Sequence, residues 1–91
     1  MPMSNILIVD DDIDIRNVLR LLLEERYHVA EAPDGPSAIA YLRENPDTDL
    51  VILDVMMPGM SGYETCDALR EFSNAPVLFL TAKSAQSDRI S

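Results

Sequence analysis

The sequence holds one cysteine, one histidine, seven lysines and arginines against sixteen acidic residues, and no apolar run approaching the length of a membrane span. A lone Cys66 excludes an internal disulfide. Its place among apolar and small residues of an expected helix reads as a buried, inert thiol, which fits a reducing cytoplasm. The shortage of basic residues leaves a net charge of −9. That argues against direct binding to nucleic acid, which needs a lysine and arginine surface to replace counterions on phosphates, and favours a basic or mixed partner surface. Crossing a bilayer takes ~20 apolar residues, and no charged segment followed by an apolar stretch opens the chain, so neither a membrane nor export is expected. The only histidine, His28, falls on a short expected edge strand without an identifiable partner and reads as a surface or packing residue. Ninety-one residues allow one domain with a modest core, burying about 60 to 65% of the surface the unfolded chain exposes.

What is present is a design used three times: an apolar run that stops at a polar residue. Leu50, Val51, Ile52 and Leu53 lead to Asp54, and Ile6, Leu7, Ile8 and Val9 lead to Asp10, Asp11 and Asp12. Val77 to Leu80 lead to Thr81. Continuous apolar runs of this length suit strands covered on both faces, as in a parallel sheet. In open α/β sheets, ligands gather beyond the carboxyl ends of the strands, where loops leave polar groups free to converge. If these strands are parallel neighbours, at least two carboxylates approach Asp54. Two unit charges ~4 Å apart repel by roughly 4 kcal/mol at an effective dielectric of 20. Such a cluster calls for a cation or a shared proton. Magnesium fits best: it is a hard ion that takes one or two carboxylates, keeps several waters and bridges to phosphate. A carboxylate beside it can itself accept a phosphoryl group.

The rest of the chain supplies helices between these strands. Met1 to Ser4 read as a disordered leader and Asn5 to Val9 as the first strand. A first helix follows, capped by Asp12 or Asp14, with Ile15, Val18, Leu19 and Leu22 at helical spacing on its expected buried side and an end near Tyr27. His28 to Ala32 form a short second strand. Pro33, Asp34 and Gly35 turn into a helix with Pro36 near its first position and Ala38, Ile39 and Leu42 on its buried side, broken by Asn45, Pro46 and Asp47. Beyond Asp54, Pro58, Gly59 and Gly62 allow a tight backbone path. A third helix is expected from Gly62 to Phe72, with Cys66 and Leu69 toward the sheet, and a further one begins within Ser84 to Ser91. The βαβαβαβ alternation predicts an α/β fold with a parallel sheet.

These residues resemble the receiver domain of two-component response regulators, from about Asn5 to the end. The carriers are the acidic pair after the first strand, the segment LDVMMPGMSG around Asp54, and Thr81 with Ala82 closing the fourth strand. The resemblance implies a flavodoxin-like, doubly wound sheet of order 2-1-3-4-5. It also implies that Asp54 is the phosphoacceptor, that Asp10, Asp11, Asp54 and the backbone carbonyl of Met56 hold Mg2+, and that Thr81 bonds the phosphoryl group and moves on activation. The implied partner is a sensor histidine kinase, the implied location the cytoplasm, and the implied role a switch, not a turnover enzyme. The family's phosphoryl-pairing lysine and its switching aromatic residue lie on or after a fifth strand, whereas this sequence stops at Ser91; the expectation is a single receiver domain over residues 1–91, incomplete at its C-terminus, without the fifth strand and last helix. Lys83, two residues after Thr81, reads as a solvated charge and not as a replacement. A rival role is a non-signalling fragment that serves as a scaffold. Loss of a fifth strand would also leave Val77 to Leu80 as an apolar sheet edge through which the chain self-associates.

Other chemistries fit less well. Asp10, Asp12 and Asp14 match positions one, three and five of a calcium loop, but Ile15 and Leu21 occupy the positions that need glycine and a bidentate glutamate. A phosphohydrolase of the haloacid dehalogenase type needs a second aspartate two residues after the nucleophile, where this chain has Met56. Ser61 lacks the surroundings of a nucleophile elbow and reads as a helix start. Met56, Met57 and Met60 fit either an adaptable partner surface or gap filling.

Overall fold

The computed structural model describes residues 3–80. Strand β1 (Asn5–Val9) is followed by α1 (Ile13–Leu23), β2 (His28–Ala32), α2 (Gly35–Glu44), β3 (Leu50–Asp54), α3 (Gly62–Leu69) and β4 (Val77–Leu80). The strands form one parallel sheet in the order β2-β1-β3-β4, which agrees with the expected order for its first four members. Residues expected to carry the chain beyond Leu80, from Thr81 through the helix beginning near Ser84, lie outside the described residues.

The sheet explains why two of the runs are apolar at every position. β1 and β3 are the central pair, in register from Ile6 with Leu50 to Val9 with Leu53. Successive side chains point to opposite faces. Leu7, Val9, Val51 and Leu53 therefore meet Ala38 and Leu42 of α2 and Leu69 of α3 in one buried cluster. Ile6, Ile8 and Ile52 point the other way, toward Leu19 and Leu23 of α1 and Tyr27 just beyond it. One strand thus feeds two cores, and a polar residue at any of these positions would be buried without water.

Helix α1 departs from its expectation in rotation and length. Leu19 and Leu23 pack on the sheet, whereas Val18 is 56% exposed and Leu22 is 71% exposed. The inward face instead carries Arg16, Leu19, Arg20 and Leu23, because both arginines reach across to Glu31 on β2. Each residue turns a helix by about 100°, so anchoring positions 16 and 20 swings 18 and 22 toward solvent. The helix ends at Leu23, whose carbonyl accepts from the N–H groups of both Arg26 and Tyr27 and closes a turn. α3 is likewise shorter than expected. After Leu69, Arg70 Nη1 donates to the carbonyl of Ala75 at 2.6 Å and folds the chain back toward β4. Among the described residues no helix is long and apolar enough to cross a membrane.

Candidate functional site

Parallel pairing of β1 with β3 brings the site together. Val9 pairs with Leu53, so Asp10 and Asp54 follow as neighbours at the carboxyl end of the sheet. Asp10 is 1% exposed and Asp54 2%, while Asp11 is exposed. Asp10, Asp11 and Asp54 each offer a carboxylate oxygen, and these oxygens all lie within 4.8 Å of one another. The convergence of carboxylates expected from the first two of these runs is therefore present in the fold.

Backbone N–H groups orient the carboxylates. Asp54 Oδ1 accepts from the N–H of Met56 at 3.1 Å, and Asp10 Oδ1 accepts from the N–H of Asp12 at 2.9 Å. Asp12 in turn caps α1, its Oδ1 accepting from the N–H of Asp14 at 2.9 Å. The acidic loop is thus both a site and a helix start, one aspartate handing the chain to the next. Asp10 also donates its N–H to the carbonyl of Ala32, and Val55 donates to that of Leu80, so the residues around the site are pinned to both flanking strands.

The donor set suits a hard divalent cation. Such an ion takes one or two carboxylates and keeps several waters, so carboxylate oxygens within 4.8 Å of one another would hold it directly or through a retained water.

The loop after Asp54 is built to return quickly to α3. Gly59 has φ +77°, the left-handed region in which a side chain is strained. Ser61 caps α3 reciprocally with Glu64: Glu64 N–H donates to Ser61 Oγ at 3.2 Å, and Ser61 N–H donates to Glu64 Oε1 at 2.9 Å. Ser61 is occupied as a cap, as its sequence setting implies. Of the methionines, Met57 is buried in the core and fills space between β3 and the helices, while Met56 is 53% exposed.

Other candidates fall elsewhere. Thr81 follows Leu80, the partner of Asp54 in the β3–β4 register, and lies outside the described residues, as does Lys83. His28 begins β2 opposite Asn5, at the other end of the sheet from the carboxylates, and is exposed. Cys66 is partly buried against the core. Arg16 was not apparent from sequence as a site neighbour. Its Nη1 donates to the backbone carbonyl of Asp10, and the only signal was a basic residue three positions before an inward-facing leucine.

Comparison with known proteins gives the class that this arrangement defines. The family model of the response regulator receiver domain matches residues 6–91. The chain belongs to that family. It is 49% identical over 85 residues to the uncharacterized transcriptional regulatory protein YrkP of Bacillus subtilis, which covers 92% of this chain and 36% of that protein. The chain thus spans little more than a third of that relative's length. The fold matches the chemotaxis protein CheY4 of Vibrio cholerae with a TM-score of 0.78 and 32% identity, over 94% of this chain and 78% of that one. It also matches a chain of the CheX-CheY-BeF3-Mg+2 complex from Borrelia burgdorferi with a TM-score of 0.74 and 29% identity, over 93% of this chain and 69% of that one.

Proposed function

We propose that this receiver domain is a phosphorylation switch in which a histidine kinase transfers a phosphoryl group to Asp54 in the presence of Mg2+. The observation that carries the reading is the convergence of Asp10, Asp11 and Asp54 at the carboxyl ends of two adjacent parallel strands. The relative crystallised with BeF3 and Mg+2 supports the choice of ion and of phosphoryl chemistry. In the transfer, a carboxylate oxygen of Asp54 bonds to phosphorus as the phosphorus–nitrogen bond of the donor's phosphohistidine breaks, and the imidazole leaves with a proton from solvent. Bound magnesium would supply positive charge to the phosphoryl oxygens. The chain's own part is positioning. Asp10, Asp11 and Asp54 would hold the ion together with the carbonyl of Met56, and the N–H of Met56 keeps Asp54 aimed. Thr81 bonds the product and reports it. With Met56 in place of a second acid, the domain serves as a switch and not as a turnover enzyme. Its place of action is the cytoplasm, where a kinase domain can meet it.

The test is labelling by acetyl phosphate or phosphoramidate with magnesium. The expected product is an acid-labile acyl phosphate that Asp54→Asn abolishes, because an amide is neither nucleophile nor anion. Thr81→Ala should still be labelled and respond more weakly. Label that survives Asp54→Asn would overturn the assignment. We further propose that β4 mediates self-association, because among the described residues it is paired on one side only.

A further inference from the structure

Arg16 stands apart from the other cations on the described surface. Its side chain is only 13% exposed, and it divides its donors between two elements. Nε donates to Glu31 Oε1 on β2 at 3.0 Å, while Nη1 donates to the main-chain carbonyl of Asp10 at the end of β1. Arg20 binds the second oxygen of the same glutamate, Nε to Oε2 at 3.1 Å, so Glu31 is held from two successive turns of α1. A guanidinium is planar, and bonds made from two of its nitrogens fix its orientation as well as its place. The Asp10 carbonyl is the peptide oxygen between the buried carboxylate of Asp10 and the exposed one of Asp11. Gripping it sets the direction in which the chain leaves β1, and so where both carboxylates point.

We infer that Arg16 is a positioning residue for the acidic cluster: braced by Glu31, it clamps the peptide between Asp10 and Asp11 and holds their carboxylates in register with Asp54. The magnesium consequence rests on the proposed function; the clamp itself does not. Without the clamp, the turn made by the Asp12 N–H on Asp10 Oδ1 loses its fixed partner plane, and the two carboxylates sample orientations that do not face Asp54. Preorganised oxygens bind a small, geometrically demanding cation more tightly than wandering ones.

The test compares Arg16→Ala, Arg16→Lys and Arg43→Ala with the unaltered 91-residue chain by amide hydrogen exchange and by magnesium titration followed by NMR. Arg43 stacks over the Phe72 ring at 4.4 Å beside the other core, so its loss controls for general destabilisation. Arg16→Ala should speed exchange at the Asp12 amide at least tenfold more than at amides of α2, and should weaken magnesium binding about tenfold. Arg16→Lys keeps the charge but not the fork, and should fail to restore either. Arg43→Ala should leave both at the acidic loop unchanged. Unchanged exchange at Asp12 in Arg16→Ala, full rescue by lysine, or an equal effect of Arg43→Ala each overturns the inference. If Arg16→Ala does not fold, Glu31→Gln removes the charged brace alone and should speed Asp12 exchange by a smaller factor, with no change overturning the clamp. Absence of magnesium binding by the unaltered chain would sink the metal reading, while exchange still decides the role of Arg16.

Discussion

Gly62 lies against the main chain of Asp54: a Cβ at position 62 would meet the carbonyl oxygen of Asp54, stand 2.9 Å from its carbonyl carbon and 2.8 Å from Val55 Cα. The close approach is cemented by the Gly62 N–H donating to the carbonyl of Val55 at 3.0 Å. Backbone cannot swing aside as a long side chain can. On helix propensity alone, alanine at this first position of α3 would stabilise by up to about 1 kcal/mol. Overpacking should reverse the sign. Gly62→Ala is expected to destabilise by roughly 1–3 kcal/mol in urea unfolding and to slow labelling of Asp54, since the displaced backbone carries the acceptor. A more stable variant would show that α3 can retreat from the site.

Ser61 provides a contrasting test beside the same loop. Its hydroxyl accepts from the Glu64 N–H and its carbonyl accepts from Thr65 Oγ1 at 2.8 Å, both of which serve α3. Ser61→Ala should cost about 1 kcal/mol of stability. Asp54 should still be labelled, because no bond to the hydroxyl reaches the carboxylates. Loss of label with unchanged stability would move Ser61 from cap to chemistry.

Asp34 gives a prediction in pH. The Ser37 N–H donates to its Oδ1 at 2.8 Å, and this bond, with a smaller effect from the Ser37 side chain, holds its carboxyl below the ordinary range. A depressed folded pKa stabilises the fold at pH values above the unfolded one, about 3.9. That contribution is lost as pH falls through the folded value. Asn caps a helix as well as Asp does and does not titrate. Asp34→Asn should therefore match the unaltered chain near neutral pH and show a shallower loss of urea midpoint below about pH 4. Parallel curves through the acid range would contradict the assignment.

How much could be read from the chain beforehand depended on whether one physical requirement dominated a segment. Ile6 to Val9 and Val51 to Leu53 are buried, with Leu50 half-buried at the start of its strand, so nearly every position has to be apolar and the runs announce themselves. Asp10 and Asp54 were legible because a carboxylate ending such a run conflicts with its own neighbourhood. α1 was misread because two requirements compete there. Val18, Leu21 and Leu22 are apolar yet exposed, whereas Arg16 and Arg20 face inward to reach Glu31. Hydrophobic periodicity is blind to an ion pair across elements 11 and 15 residues apart. Arg16 was missed for the same reason, and its hold on a main-chain carbonyl leaves no mark in residue type at position 10.

The last prediction concerns β4. Among the described residues it pairs only with β3, and its sequence of Val, Leu, Phe and Leu contains no charge and no proline to discourage further pairing. Leu78 is 54% exposed and lines an apolar hollow with Ile6, Leu23, Tyr27, Leu50 and Ile52, on the face that α1 only partly covers. Two copies related by a two-fold axis would set their β4 strands antiparallel, satisfying both edges with the same bonds. The 91-residue chain should therefore sediment as a mixture whose mean mass rises from micromolar to near-millimolar concentration, with thermal stability rising alongside. Leu78→Lys should shift that mixture toward monomer, since a charge at the edge has to be desolvated for the strands to meet. A chain that stays monomeric across the range and unfolds cooperatively would sink the idea.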